Sequence, residues 1–237
     1  MKVIDGGVTA AKGFQAAAAA AGIKYKDRTD MALIYSEKPC KAAGTFTTNL
    51  VKAAPVKWDR AIVESKRKPQ AVIVNSGIAN ACTGEEGMKY CEETAKEAAC
   101  VLGVEAESVL VGSTGVIGMQ LPMDRVKSGI KMLAEAKNSS KEKGTEAAKA
   151  IMTTDTVPKA ASKRVELDGV ELPGDQLQRD LHAGKQQRRD RDVQIASFHM
   201  DSLFFNSCTS GFRCNTVLDA CQETSNFQQA KPAPGVS

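Results

Sequence analysis

A chain of 237 residues that is 42% hydrophobic can bury a sizeable core, enough for one large domain or two small ones. Its net charge of +4 comes from Lys, Arg, Asp and Glu mixed along the chain, and only 5% of its residues are aromatic. Without a concentrated basic stripe or a supply of stacking rings, a nucleic-acid partner is excluded and a small polar metabolite is the better-fitting ligand.

The chain opens with Gly6-Gly7-Val8-Thr9-Ala10 and an alanine run, Ala16 to Ala21, interrupted by Gly13 upstream and stopped by Gly22. Helix propensity there points to a short helix or a low-complexity linker. Met31 to Ser36 and Ala42 to Thr48 are rich in apolar, β-branched and aromatic residues and flank a turn at Pro39, which predicts two strands. Ala61-Ile62-Val63 reads as a third strand. Ala71 to Val74 reads as a fourth, and its continuous apolar run predicts a strand covered on both faces.

Thr83 and Glu86 form a T-x-x-E capping box, and Gly103 stands where a helix would end. Met88, Cys91, Ala95, Ala98, Ala99 and Leu102 then lie on one helical face, with Cys91 and Cys100 expected in the core. Val109 to Val111 is a strand leading into Gly112-Ser113-Thr114-Gly115, and Pro122 opens a helix carrying Val126, Ile130 and Leu133. A further helix covers Gly144 to Met152 and leads to Thr153-Thr154-Asp155-Thr156. Asp168-Gly169 reads as a hairpin turn.

Beyond Gly174 the composition shifts: eight glutamines fall in the last 63 residues against three in the first 174. This sets a boundary between a domain of residues 1–174 and a divergent tail of residues 175–237, expected to be disordered or the product of a frame shift. His182 and His199 lie in that tail without motif context, and the charge run from Lys185 to Arg191 reads as solvated surface.

The seven cysteines are odd in number and contain no C-x-x-C pair, so neither a disulfide framework nor a metal site is expected. No apolar segment is long enough for a signal peptide or a membrane span. The chain therefore reads as cytoplasmic, with no membrane partner.

Five motifs occur in a fixed order. They are Gly6-Gly7-Val8-Thr9-Ala10 with Lys12-Gly13-Phe14; Ala42 to Asn49 with Ala53-Ala54-Pro55-Val56; Asn75 to Gly84; Ser113 to Gly118; and Met152 to Thr156. Together, across residues 1–172, they resemble the N-terminal part of the glutamate N-acetyltransferase (ornithine acetyltransferase) family, with Ile78 standing where an asparagine is expected. The resemblance implies a mixed α/β sandwich with helices outside packed sheets, of the self-processing acyltransferase type. It implies a precursor that cuts itself before a threonine, whose freed amine then serves as base to its own hydroxyl. Acetyl passes from N-acetylornithine to that threonine and on to glutamate, giving ornithine and N-acetylglutamate in a cyclic arginine biosynthesis pathway. No cofactor is implied beyond acetyl-CoA as an additional co-substrate in some members. The implied partner is the cleaved C-terminal chain, in a heterotetramer of two alpha and two beta chains.

By the same resemblance Thr114 and Gly115 form the oxyanion hole, and Thr153 or Thr154 contacts substrate. Independently, a Gly-flanked Ser-Thr turn after a strand can offer a hydroxyl and a backbone N–H to developing negative charge, although such glycines also serve simply to make a tight turn. A Thr-Thr-Asp cluster at a helix end can likewise serve only its own backbone. Asn75, Ser76 and Asn80 are read as turn chemistry rather than ligand contacts.

The family continues with a Lys-Gly-x-Gly-Met stretch and an Ala-Thr cleavage junction, and neither occurs here. Thr209, Thr216 and Thr224 follow Cys208, Asn215 and Glu223. This chain is thus expected to be incomplete and inactive alone. Two other readings stay open: a catalytically dead interaction or structural protein that keeps the fold, and a self-processing aminopeptidase-like hydrolase.

Overall fold

The computed structural model describes residues 2–167, 170–174, 193–198 and 215–221, with side chains over residues 3–162. In chain order the elements are β1 (Lys2–Ile4), β2 (Phe14–Ala19), β3 (Met31–Ser36), β4 (Lys41–Thr45), α1 (Ala54–Glu64), β5 (Ala71–Asn75), α2 (Gly84–Leu102) and β6 (Val109–Ser113). They continue with α3 (Met123–Ala136), α4 (Lys141–Ala150), β7 (Ser162–Leu167), β8 (Val170–Gly174), β9 (Val193–Phe198) and β10 (Asn215–Cys221).

A four-stranded sheet in the order β2-β3-β5-β6 forms the centre. Its first two pairings are antiparallel and β5–β6 is parallel, with α2 making the crossover between them. One face carries Ala17, Met31, Leu33, Ile73 and Val111 against Cys91, Ala95 and Ala98 of α2 and Val126, Ile130 and Leu133 of α3. The opposite face carries Phe14, Ala16, Ile34, Val72, Val74 and Leu110 against Ala147 and Ala150 of α4. Every residue of β5 is buried, as its unbroken apolar run predicts for a strand covered on both sides.

The alanine run is a strand, not a helix or a linker. Six residues are too few for a helix to hold itself, since isolated helices need about 12–15 residues. As β2 the same residues gain a ladder to β3, and Ala16 also exchanges backbone hydrogen bonds with Asn138 on the outer edge. Ala16 and Ala17 are fully buried, and their small side chains let α4 and α3 approach the sheet.

Ala61-Ile62-Val63 lies in α1 rather than in a strand. Pro55 occupies the first turn, where its missing N–H costs nothing, and Val56, Asp59 and Ile62 follow at helical spacing on the buried side. The β-branched pair Ile62-Val63 is a weaker determinant than that periodicity. α2 ends as expected, with Gly103 left-handed at φ 70°. Its start differs, because Thr83 stands at the N-cap but spends its hydroxyl on Asn80 Oδ1 (2.6 Å) instead of on the helix backbone. Cys91 is in the core, whereas Cys100 is exposed.

The second sheet has the order β1-β7-β8-β9-β10-β4. β7 and β8 pair antiparallel in the register Val165↔Leu172 and Leu167↔Val170 that the hairpin reading requires. The Asp168-Gly169 turn itself lies outside the described residues. β10 comes from the tail and pairs antiparallel with β4. His182, His199 and the run from Lys185 to Arg191 also lie outside the described residues.

β6 is an edge strand of the central sheet, and α1 covers its outer rim. Trp58 Nε1–H donates to the Val109 carbonyl (3.0 Å), and the Val111 N–H donates to Asp59 Oδ1 (2.9 Å). Such cover removes the pairing hazard of an exposed strand edge. Asp59 is buried, and burial pushes its carboxyl well above the ordinary value of 3.8 despite the opposing pull of the Val111 hydrogen bond. The folded state therefore holds a proton that the unfolded chain releases, and stability is lost as pH rises from that ordinary value towards the raised one. Asp59→Asn keeps a neutral acceptor for Val111 and is expected to flatten this dependence. Thermal denaturation at pH 5 and pH 8 checks it, and equal losses in wild type and variant would sink the assignment.

Candidate functional site

The site lies where β5 and β6 end. Thr114 N–H donates to the Asn75 carbonyl (2.9 Å), Val116 N–H to Gly77 O (3.1 Å), and Ala79 N–H to Val116 O (2.9 Å). The parallel ladder thus continues beyond both strands, with Ile78 bridged to Val116. The N–H groups of Thr114 and Val116 serve the β5 side, whereas that of Gly115, between them, takes no part in the ladder at the outer rim of β6. On that rim α1 satisfies Val109 and Val111, and its cover stops there. Gly115 N–H donates to no described residue, and Gly115 is exposed.

Gly115 is also the residue that permits the close approach of the two loops. At φ +129°, a Cβ added there would lie 2.3 Å from the Gly77 carbonyl carbon and 2.7 Å from Ile78 N. Both are backbone atoms that cannot turn aside. Thr114 beside it is only 2% exposed.

A set of buried polar groups fixes the Asn75–Thr83 loop. Asn75 Nδ2 donates to Ile78 O (2.7 Å), and Ser113 Oγ donates to the same carbonyl (3.2 Å) while accepting from Asn80 N–H (2.8 Å). Asn80 Nδ2 donates to Gly87 O (2.8 Å) and Cys91 Sγ (3.3 Å). These groups are partnered inside the protein, which agrees with reading Asn75 and Asn80 as scaffold. Burial, and after it the neighbouring Asp59, push the Cys91 thiol far above its usual range, which opposes thiolate formation there.

Thr153 and Thr154 follow α4, the first half-buried and the second exposed. Two contacts tie this segment to the end of the sheet. Ser76 Oγ donates to Ala150 O (2.7 Å), and Arg28 Nη2 donates to Met152 O (2.6 Å) and Thr153 O (3.5 Å). Ser76 N–H in turn donates to Asp30 O (2.8 Å), so the loop before β3 joins the same cluster. The structure therefore brings the Thr114–Gly115 and Thr153–Thr154 pairs to one end of the sheet through Ser76 and Arg28. Asp155, next in line, is held below its ordinary value first by its hydrogen bond to Lys159 (2.7 Å), against a weaker opposing effect of burial.

Sequence reasoning gave Ser76 only a turn role and did not single out Arg28. Arg28 reaches carbonyls 124 and 125 residues away, and no local pattern encodes such a contact. Among the described residues no group of three or more His, Cys, Asp or Glu side chains could hold a metal ion, and no helix is long and apolar enough to cross a membrane.

Comparison with known proteins places this geometry. The ArgJ family pattern matches residues 15–174. The arginine biosynthesis bifunctional protein ArgJ of Symbiobacterium thermophilum is 54% identical over 171 residues, which is 71% of this chain and 42% of that protein. Its counterpart in Gloeobacter violaceus is 50% identical over 167 residues, 70% of this chain and 40% of that protein. The chain thus spans about two fifths of the length of the curated relatives it matches. Among solved structures, ornithine acetyltransferase from Mycobacterium tuberculosis in complex with ornithine superposes with a TM-score of 0.65 at 44% identity, covering 68% of this chain and 86% of that one. ArgJ from Bacillus halodurans gives 0.67 at 39% identity, with coverages of 72% and 89%. The mixed α/β fold of this protein is the self-processing acyltransferase fold of those structures. A pattern match over more than half of the sequence, together with solved structures of the same fold at these identities, shows that the chain belongs to the ArgJ family.

Proposed function

We propose that this chain is the oxyanion-and-substrate half of an acetyltransferase that moves acetyl from N-acetylornithine to glutamate. The observation that carries the reading is the Gly115 N–H, which donates to no described residue and belongs to an exposed residue just past the point where α1 ceases to cover the edge of β6. In the proposed reaction a threonine Oγ, supplied by a nucleophile-bearing C-terminal segment, attacks the acetyl carbonyl. The carbonyl oxygen gains the negative charge, and the Thr114 hydroxyl and Gly115 N–H stabilise it. The Oγ proton passes through the threonine's own α-amine to the departing nitrogen, so collapse expels ornithine as the neutral amine and leaves an acetyl ester. The amine of glutamate then attacks the ester, releases the threonine and yields N-acetylglutamate. Thr153 and Thr154 contact the substrate from the end of α4. Acetyl is carried covalently by the protein, so the transfer needs no cofactor, and acetyl-CoA can serve only as an alternative donor.

Coverage supports a two-chain enzyme. The solved relatives are covered to 86% and 89% of their chains, but the full-length relatives only to 42% and 40%, so the solved chains are about half as long. The partner is then the C-terminal chain, in the two-alpha, two-beta assembly, acting in the cytoplasm. Product analysis after reconstitution with that segment tests the reading, because transfer makes N-acetylglutamate whereas an aminopeptidase-like hydrolase releases acetate.

A further inference from the structure

The Gly115 N–H can meet a developing oxyanion only if it keeps one direction. Yet the two segments that face each other here carry glycine at the point of contact, Gly77 at φ +99° and Gly115 at φ +129°, with no side chain of their own to hold them. The backbone bonds from Thr114 and Val116 tie the segments together, but the loop that receives them has already left β5, whose last residue is Asn75. Holding residues 77–80 in place falls to groups outside the strand ladder.

Ser113 supplies such a group. It is the last residue of β6, stands opposite Asn75 in the parallel register and is 1% exposed. The Asn80 N–H can only donate and the Ile78 carbonyl can only accept, so the hydroxyl between them has one orientation. It accepts from the first (2.8 Å) and donates to the second (3.2 Å). One side chain of β6 thus grips the facing loop at two points. The gripped stretch is also the surface on which Gly115 rests, since Ile78 N lies 2.7 Å from where a Cβ of Gly115 would stand. Asn80 is buried as well, so without the hydroxyl its N–H loses its acceptor where water cannot replace it.

We propose that Ser113 is the positioning residue of the oxyanion hole: it holds the Ile78–Asn80 stretch against which Gly115 rests and so sets the direction of the Gly115 N–H. The inference rests on the acetyltransferase reading. Ser113 is buried and its proton is given to Ile78, so it acts through Gly115 and not on the substrate.

Thr83 supplies the control. Its hydroxyl also makes a buried bond in this network, to Asn80 Oδ1 (2.6 Å), but that bond joins two residues of one loop rather than the loop to β6. The test is steady-state acetyl transfer from N-acetylornithine to glutamate by this chain mixed with the C-terminal part of the Symbiobacterium thermophilum relative that it does not match. Ser113→Ala and Thr83→Val should lower the melting temperature by similar amounts, since each loses one buried hydroxyl. Ser113→Ala should also lower kcat about tenfold with KM within about twofold, because a misdirected donor weakens the transition state and not the bound substrate. Thr83→Val should keep kcat within about twofold of wild type. Ser113→Cys fills the same space with a weaker donor and acceptor; its kcat should fall about threefold, and it carries the comparison if Ser113→Ala does not fold. Wild-type kcat in the Ser113 variants, equal kcat losses in Ser113→Ala and Thr83→Val, or a change in KM alone overturns the positioning role and leaves the acetyltransferase reading standing. A stable wild-type complex that forms no N-acetylglutamate overturns that reading and this inference with it.

Discussion

Thr114→Val is expected to lower kcat for acetyl transfer about 100-fold, with KM changed by less than about threefold, once the chain is reconstituted with a nucleophile-bearing segment. Valine has nearly the shape of threonine, so the buried position is filled and the backbone bond from residue 114 to the Asn75 carbonyl survives. Only the hydroxyl is lost. In the proposed site that hydroxyl meets an oxygen whose negative charge exists only during attack and collapse, so its loss raises the barrier without weakening ground-state binding. Steady-state kinetics at titrated complex concentration separates this from a fall in folded protein. A variant with wild-type kcat, or one altered in KM alone, would remove Thr114 from the oxyanion hole.

Gly115→Ala is the second large effect. A β-carbon at that position must displace the Gly77–Ile78 backbone, and φ +129° is strained for any L side chain. Overpacking costs about 1–3 kcal/mol and the unfavourable backbone about 1–2, so a loss near ~3 kcal/mol is expected, with transfer abolished as the Gly115 N–H is moved. Gly118 is the internal control: its φ is +77°, but nothing lies within 4 Å of an added Cβ. Gly118→Ala should therefore show only the backbone part, about 1–2 kcal/mol. Urea denaturation of both variants decides the matter. Equal losses would mean that the close approach to Gly77 has no energetic weight.

What could be read from the sequence divides along a physical line. β5, α2 and α3 were legible because each buries a periodic or continuous apolar surface that its own residues declare, and the cap at Gly103 is a local property of the backbone. β2 and α1 were not. Alanine has no preference strong enough to resist tertiary pairing, and α1 is short and begins in a proline-containing segment whose β-branched residues imitate a strand. Thr83 shows how a capping motif is overridden when a buried amide offers its hydroxyl a better partner. Cys100 stands on α2 near residues of the buried face, yet the helix rotates it to solvent.

The site divides in the same way. Thr114, Gly115, Thr153 and Thr154 sit inside short motifs that the chain carries intact. The links between them do not. Ser76 reaches Ala150 across 74 residues and Arg28 reaches Met152 across 124, so only the folded chain shows that the two motifs share one end of the sheet.

Acetyl transfer from N-acetylornithine to glutamate, measured with the intact mass of the chain recorded alongside, tests the half-site most directly. Alone, the chain should keep its mass of 25.2 kDa and form no N-acetylglutamate. Mixed with the C-terminal part of the Symbiobacterium thermophilum relative that this chain does not match, it should form N-acetylglutamate with ping-pong kinetics. A chain that cuts itself and transfers acetyl unaided would contradict this reading, and so would a stable mixed complex that transfers none.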